Sequence, residues 1–440
     1  MKDFALSVES IRAKLGDLST SGIKRKYFLS REVFVNFLDS PATQLLDTID
    51  QVFLRHNAII VQRRMSLETL VELGTHFETT DHRDAIYALL NLANDVDSLS
   101  QSDPSIAPDY DRSILDVFTD FILHCCRRSG SLNIICRPWA PVWSCPLYVM
   151  TQTPRSDRIE SMDIPSWIAC RDALPFGNPS RRMTYRIHGR PLVANAQKRT
   201  YNAHDGTKPQ VRTGRNHRTQ GCDGALYAKG IILGTITETS TRMANAIITQ
   251  DCISILKTRT EDESETSCEL PDCLWRTFCA DRDYVGDPAP SSFEQAMVQT
   301  LQLCAKDQVA SSPVDLVDTI ASIDVEDILT TQEVTDPVRN FLETIRDVIW
   351  NRRTFRGKRD HFLGSDIIGL VPRHTQVHDQ VCILYGCSVP VVLRKESGKN
   401  GAMYWRLIGE AYVHGAMDGE EISSSPPVML KSMEEEFESR

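Results

Sequence analysis

At 440 residues the chain exceeds one compact core and is expected to divide into two or three domains. A hydrophobic fraction of 41% and a charged fraction of 25% are those of a globular protein and exclude disorder as the state of the whole chain. The net charge of −10 is unevenly spread: 171–218 holds eleven Arg and Lys against Asp172 and Asp205, while 261–272, 315–333 and 434–436 are acidic. Such runs read first as solvated faces.

Met1-Lys2-Asp3-Phe4 opens on a charged segment rather than an apolar signal core, and no run of about 18 apolar residues follows. The cytoplasm, with no membrane, is the expected location. Thirteen cysteines in a chain this long do not make a secreted disulfide scaffold. Cys268, Cys273 and Cys279 include no Cys-x-x-Cys pair and no paired histidines follow at finger spacing, so no metal is expected. Cys125-Cys126 falls on an apolar helix face, where free thiols act as small hydrophobes.

The first region, 1–130, reads as mainly helical. Leu45, Leu46, Ile49, Val52 and Phe53 give helical spacing over 43–56. Ser66 is a candidate N-cap before Leu67, Leu70, Val71 and Leu73, and Asp81 one for a helix through Ile86, Tyr87, Leu89, Leu90 and Leu92. After a loop at Asp103-Pro104 and Ala107-Pro108, an amphipathic helix is predicted over 111–128, with Arg127, Arg128 and Gly130 as its C-terminal signal.

The second region, 131–260, is expected as an irregular α/β mixture, with 203–224 a basic loop and 226–236 a strand rich in β-branched residues. The third, 261–355, should carry helices over 293–306 and 337–353 around an acidic loop at 311–333. In the fourth, 356–425, strands are predicted over 380–384, 389–393 and 404–413. Gly386, Ser397-Gly398 and Asn400-Gly401 supply the turns. The fold class is α+β: a helical amino-terminal part, an irregular middle, and a small antiparallel sheet or barrel-like module about 361–421. The remainder, 426–440, reads as a disordered acidic tail.

Catalytic constellations are missing from the sequence. No phosphate loop, dinucleotide fingerprint, nucleophile elbow or His-Glu-x-x-His occurs. His374 and His378 are four apart, but Pro372 precedes them and strands surround them, so they read as surface histidines. No catalytic residue and no cofactor is expected. Arg181, Arg182, Arg186, Arg190, Lys198 and Arg199, interleaved with Tyr185 and Tyr201, could contact phosphates, although no binding motif frames them.

Read in order, several segments match one family. Asp81-His82-Arg83-Asp84-Ala85-Ile86-Tyr87-Ala88-Leu89-Leu90-Asn91-Leu92-Ala93 resembles a signature of fungal heterokaryon incompatibility (HET-domain) proteins. Pro108-Asp109-Tyr110 with the helix after it, Ile164-Pro165-Ser166-Trp167-Ile168, and Leu274-Trp275-Arg276-Thr277-Phe278 with Asp281-Arg282 resemble later motifs there. Gly369-Leu370-Val371-Pro372, the segment from Asp379, Gly386, and Tyr412-Val413-His414-Gly415-Ala416-Met417-Asp418-Gly419-Glu420 are similar to its carboxy-terminal module. His82 and Ala85 replace the usual Pro and Lys, and His378 stands where Gly commonly precedes Asp.

That family's amino-terminal module, TIR-like and linked to triggering cell death, has no counterpart here. The chain is therefore expected to be the region downstream of it. The resemblance implies a non-catalytic part in non-self recognition and programmed cell death, acting through contacts with another protein. The alternatives are a fragment of a TIR-like NAD-hydrolysing enzyme and a nucleic-acid binder through 171–218. The motif residues are expected to be structural: Asp81, Arg83, Asp84, Tyr87, Leu90, Pro108, Asp109, Tyr110, Trp167, Trp275, Arg276, Gly369, Asp379, Gly386, Tyr412, Gly415, Asp418 and Gly419. Arg83 and Asp84 should form an ion pair, and Tyr87 and Trp275 should be core aromatics.

Overall fold

The computed structural model describes residues 53–56, 59–76, 79–96, 106–141, 164–171, 174–176, 186–194, 196, 199–216, 221–257, 270–305, 313–359, 366–398, 401–424 and 427–440. The chain divides into two units, Met1–Ser102 with Gly177–Tyr185, and Asp103–Phe176 with Arg186–Arg440. The four-part division expected from sequence is not the one contacts draw.

In the first unit, β1 (Phe53–His56) and β2 (Ile59–Arg63) form an antiparallel hairpin with Phe53 opposite Arg63. The helix expected over 43–56 thus ends as strand, and the rest of it lies outside the described residues. A few apolar positions fit either period, and the β-branched run Ile59-Ile60-Val61 supplies the strand partner. In α1 (Leu67–Leu73) the Ser66 hydroxyl accepts from the Thr69 N–H at 3.3 Å, and Leu67, Leu70 and Val71 are buried. The helix expected from Asp81 shrinks to one turn, α2 (Asp84–Tyr87), followed by a 3-10 turn at Leu90–Leu92. Asp81 does not cap it, because its carboxylate is taken by the Arg83 guanidinium and backbone.

The second unit begins with α3 (Ile114–Ser129). Ser113 caps it by accepting from the Asp116 N–H, and Gly130 ends it in the left-handed region at φ 63°. Its buried Phe118 and Phe121 pack edge-on against Trp139, with ring centroids at 4.9 and 4.7 Å. Next come β3 (Val211–Arg215), where an irregular basic loop was expected, and β4 (Cys222–Thr239), which contains the strand expected over 226–236; the two pair antiparallel. Val211-Arg212-Thr213-Gly214-Arg215 is too short and polar to signal a strand; pairing with the apolar β4 decides it.

A helical layer follows: β5 (Ile247–Thr249), α4 (Gln250–Leu256), α5 (Asp272–Phe278), α6 (Ser292–Ala305), α7 (Pro313–Thr319), β6 (Ser322–Asp324), α8 (Val325–Thr331) and α9 (Asp336–Ile349). The acidic stretch 311–333, expected as a loop, is helical on both sides of β6. Three of its acids belong to the start of α8: Asp324 accepts from the Asp327 N–H at 3.0 Å, and Glu326 and Asp327 occupy the positive first turn. The helix expected over 337–353 ends at Ile349, and Asn351 turns left-handed (φ 60°) into β7 (Arg353–Arg359).

The remaining elements are β8 (Asp366–Val371), β9 (Gln380–Leu384), β10 (Val391–Ser397), β11 (Met403–Glu410), β12 (Tyr412–Val413), α10 (Glu420–Ser423), α11 (Pro427–Met433) and β13 (Glu434–Ser439). The eighteen-residue β4 bonds β9 on one edge and β7 on the other. From β9 the chain meanders through β10 and β11, which runs on into β12; β12 pairs with β8 and β8 with β7. The ring is closed. Where β11 and β4 diverge, β13 fills the gap, antiparallel to β4 and touching β11 in parallel at Trp405–Ser439.

The barrel interior is apolar, with Ile231, Leu233, Ile236, Phe355, Val381, Ile383, Val392 and Val413 buried. A Cβ at Gly369 would meet the Tyr412 carbonyl at 1.9 Å, so the β8–β12 closure tolerates only glycine there. The fold is α+β with a barrel-like carboxy-terminal part. Two expectations need correcting: 356–425 alone does not close the ring, and 434–439 is a strand, not a disordered tail. Among the described residues, no helix is long and apolar enough to cross a membrane.

Candidate functional site

Two of the sequence motifs, 274–282 and 412–420, meet at one end of the barrel. Helix α5 buries Trp275 and Phe278 and ends on Ala280 and Asp281, both left-handed (φ 51° and 53°). That turn aims Arg282 across to the other motif. Its Nη2 donates to both carboxylate oxygens of Asp418 at 2.7 Å, its Nε to the Thr200 carbonyl at 3.1 Å, and its Nη1 to the Asp281 carbonyl at 2.9 Å. The guanidinium also sits 4.5 Å from the Tyr201 ring centroid, while the Tyr201 hydroxyl donates to the Ala280 carbonyl at 2.6 Å. Arg276 stacks on Trp275 at 4.3 Å and donates to Asp281 at 2.6 Å.

A second brace stands beside the first. The Glu410 carboxylate accepts from Arg352 Nη2 at 2.6 Å and from the Leu192 and Val193 N–H groups at 2.8 and 2.9 Å. Arg352 also donates to the Arg190 carbonyl at 2.7 Å, so one ion pair pins the 190–193 segment to the barrel. The Arg352 and Glu410 side chains are 9% and 14% exposed. Between the braces lies a cavity of about 60 Å³ lined by Leu192, Thr200, Tyr201, Cys279 and Arg282. Its size is far below the 300 Å³ or so of a typical small-molecule site.

Burial sets the protonation here. It pushes the Cys279 thiol up to about 12, raises the Tyr201 and Tyr412 phenols, and lowers the His414 imidazole. Each of these groups is held in its neutral form, and the carboxylates of Asp418 and Glu410 are occupied by arginines. The chemistry on offer is cross-bracing.

The other motif residues are distributed. Arg83 pairs with Asp81, not Asp84, at 2.7 Å, and Tyr87 and Leu90 are buried in the first unit. Pro108, Asp109 and Tyr110 precede α3 at the surface, Tyr110 being 54% exposed. Trp167 is fully buried and donates its indole N–H to the Gly224 carbonyl at 3.1 Å. Asp379 is buried and accepts both arms of Arg394 at 2.8 and 2.9 Å. His378 before it adopts φ 75°, which is why glycine suits that position. Gly386 sits in the β9–β10 turn, Gly415 in the turn after β12, and Gly419 leads into α10. Cys273 and Cys279 do not converge on a ligand set, and among the described residues no group of three metal-binding side chains is present.

The basic stretch does not form one surface among the described residues. Arg186 pairs with Asp347 at 2.7 Å, Arg212 pairs with Glu436 at 2.6 Å, and Arg190 donates to the Tyr284 carbonyl. Arg181, Arg182, Tyr185 and Lys198 lie outside the described residues. Sequence reasoning missed Glu410 and Arg352; the one available signal was an isolated acid inside the apolar 405–413 run.

Residues 316–425 match the Het-6 beta-barrel domain, which places α8, α9 and β7 to β12 within it. Heterokaryon incompatibility protein 6, OR allele, of Neurospora crassa is 38% identical over 68 residues, 16% of this chain and 10% of that protein. The match spans about a tenth of that curated relative's length. No solved structure matches the chain. Through its carboxy-terminal barrel, the chain is similar to fungal heterokaryon incompatibility proteins.

Proposed function

We propose that the chain is a non-catalytic recognition or regulatory part of a heterokaryon incompatibility system, acting in the cytoplasm through protein–protein contacts in non-self recognition and programmed cell death. The observation that carries this reading is the fate of the charged residues around the barrel. Arg282, Asp418, Arg352, Glu410, Arg394 and Asp379 spend their charges on one another, bracing the barrel rather than facing a substrate. The buried thiol and phenols beside them are kept neutral, which suits a rigid platform and not a nucleophile.

The reading is tested by capturing partners of the tagged chain from a filamentous fungal extract, with cross-links mapped by mass spectrometry, and by incubating the chain with NAD. It expects a protein recovered in near-stoichiometric amount and no nicotinamide release. Nicotinamide produced at a steady rate by the pure chain would replace it with the hydrolase reading.

A further inference from the structure

An open groove of about 450 Å³ runs between α3 and β3, lined by Leu123, Cys126, Arg127, Val211, Thr213 and Arg215. Its β3 wall is an outer sheet edge. Among the described residues β3 pairs with β4 and with no other strand. The register says which backbone groups face away from β4. Lys229 N–H donates to the Gln210 carbonyl at 3.1 Å, and Val211 stands opposite Ala228. Residues 210 and 229 are therefore a hydrogen-bonded pair, and alternation makes 212 and 227 the next. Val211 and Thr213 must then turn their N–H and C=O groups away from β4, and these two residues line the groove.

The groove is also one-sided in charge. Arg127 closes α3, Arg215 is exposed, and Arg212 borders them, while among the described residues no carboxylate lines the opening. Arg212 reaches back across β4, stacking 3.6 Å over Tyr227 and pairing with Glu436 of β13, so its charge is already met on the sheet face. Leu123, Cys126 and Val211 supply an apolar floor. A helix facing an outer strand edge, with apolar floor and cationic rim, fits an extended chain better than a helix or a compact ligand.

We propose that this groove binds an extended, acidic peptide segment of a partner protein, which adds as a strand to the outer edge of β3. The main-chain groups of Val211 and Thr213 would hold its backbone, and the exposed Arg215 its carboxylates. The proposal rests on the recognition reading above and gives it a place and a partner chemistry.

The test uses the full chain and a fluorescein-labelled octapeptide of alternating valine and glutamate, titrated by fluorescence anisotropy at physiological salt. Two peptide controls leave the protein untouched: valine alternating with lysine, and the valine–glutamate peptide with alternate amides N-methylated. Saturable binding of the first peptide is expected, at least about tenfold weaker for either control and for the exposed-site variant Arg215→Glu. No saturable binding overturns the proposal. So does equal binding of the N-methylated peptide, which would mean charge alone, or an affinity unmoved by Arg215→Glu. If the peptide fails while the chain still captures a partner from extract, the groove is wrong and the recognition reading stands; loss of both removes both.

Discussion

Glu410 accepts from one guanidinium and two backbone N–H groups, and few side chains in the barrel answer to so many partners. Replacing it by alanine strands a buried Arg352 and two amides, so Glu410→Ala should lose about 3–5 kcal/mol in urea unfolding. Asp418→Asn should cost only about 1 kcal/mol, since the Asp418 side chain is 47% exposed and its ion pair is partly screened. His378→Gly should gain about 0.5–1 kcal/mol, because glycine removes the strain of a left-handed backbone at φ 75°. Burial lowers the pKa values of His204 and His414, so the folded state favours their neutral forms. Their stabilising contribution is complete above the ordinary value of 6.5 and is lost as pH falls below it toward the lowered folded values. The melting temperature should drop between pH 7 and pH 5, and His414→Gln should flatten part of that slope. At this scale the two residues read as core aromatics, Tyr87 and Trp275, are buried. Glu410 was not, because an acid in a strand reads as the solvent-facing half of an alternation.

Elements with their own strong signal matched expectation. Helix α3 carries a Ser cap, an apolar stripe and a Gly stop, and strand β9 falls on the predicted 380–384. Elements made by their neighbours did not. Glu434 to Ser439 holds four acids, a composition poor in strand formers, yet it pairs residue by residue with β4. Its anchor is Phe437, fully buried and edge-on to Trp405 at a ring distance of 5.5 Å. Phe437→Ala should therefore cost about 3–5 kcal/mol, as for any large core aromatic, and should release β13 to proteolysis before the rest of the barrel. The same logic explains 311–333, where acids signal helix starts as readily as loops, and β3, whose polar residues gave no strand signal without β4 beside them.

At the scale of the whole second unit, the barrel draws on three separated stretches: β4, then β7 to β12, then β13. The matched domain at 316–425 covers only the middle one. Sequence pattern located that middle stretch because its turns and alternation are local; it could not see the closure, which depends on pairing β4 with β9 across 145 to 154 positions of chain. Closure is also what leaves the charged residues at the barrel as braces. Hydrogen exchange of the full chain, read by mass spectrometry, tests this most directly. If the ring closes as described, amides of 226–236 and 434–439 exchange slowly, in step with those of 380–384 and 403–410. If 226–236 exchanges within seconds, along with 434–439, while 380–410 stays protected, the barrel is a local module and the account of its closure is wrong.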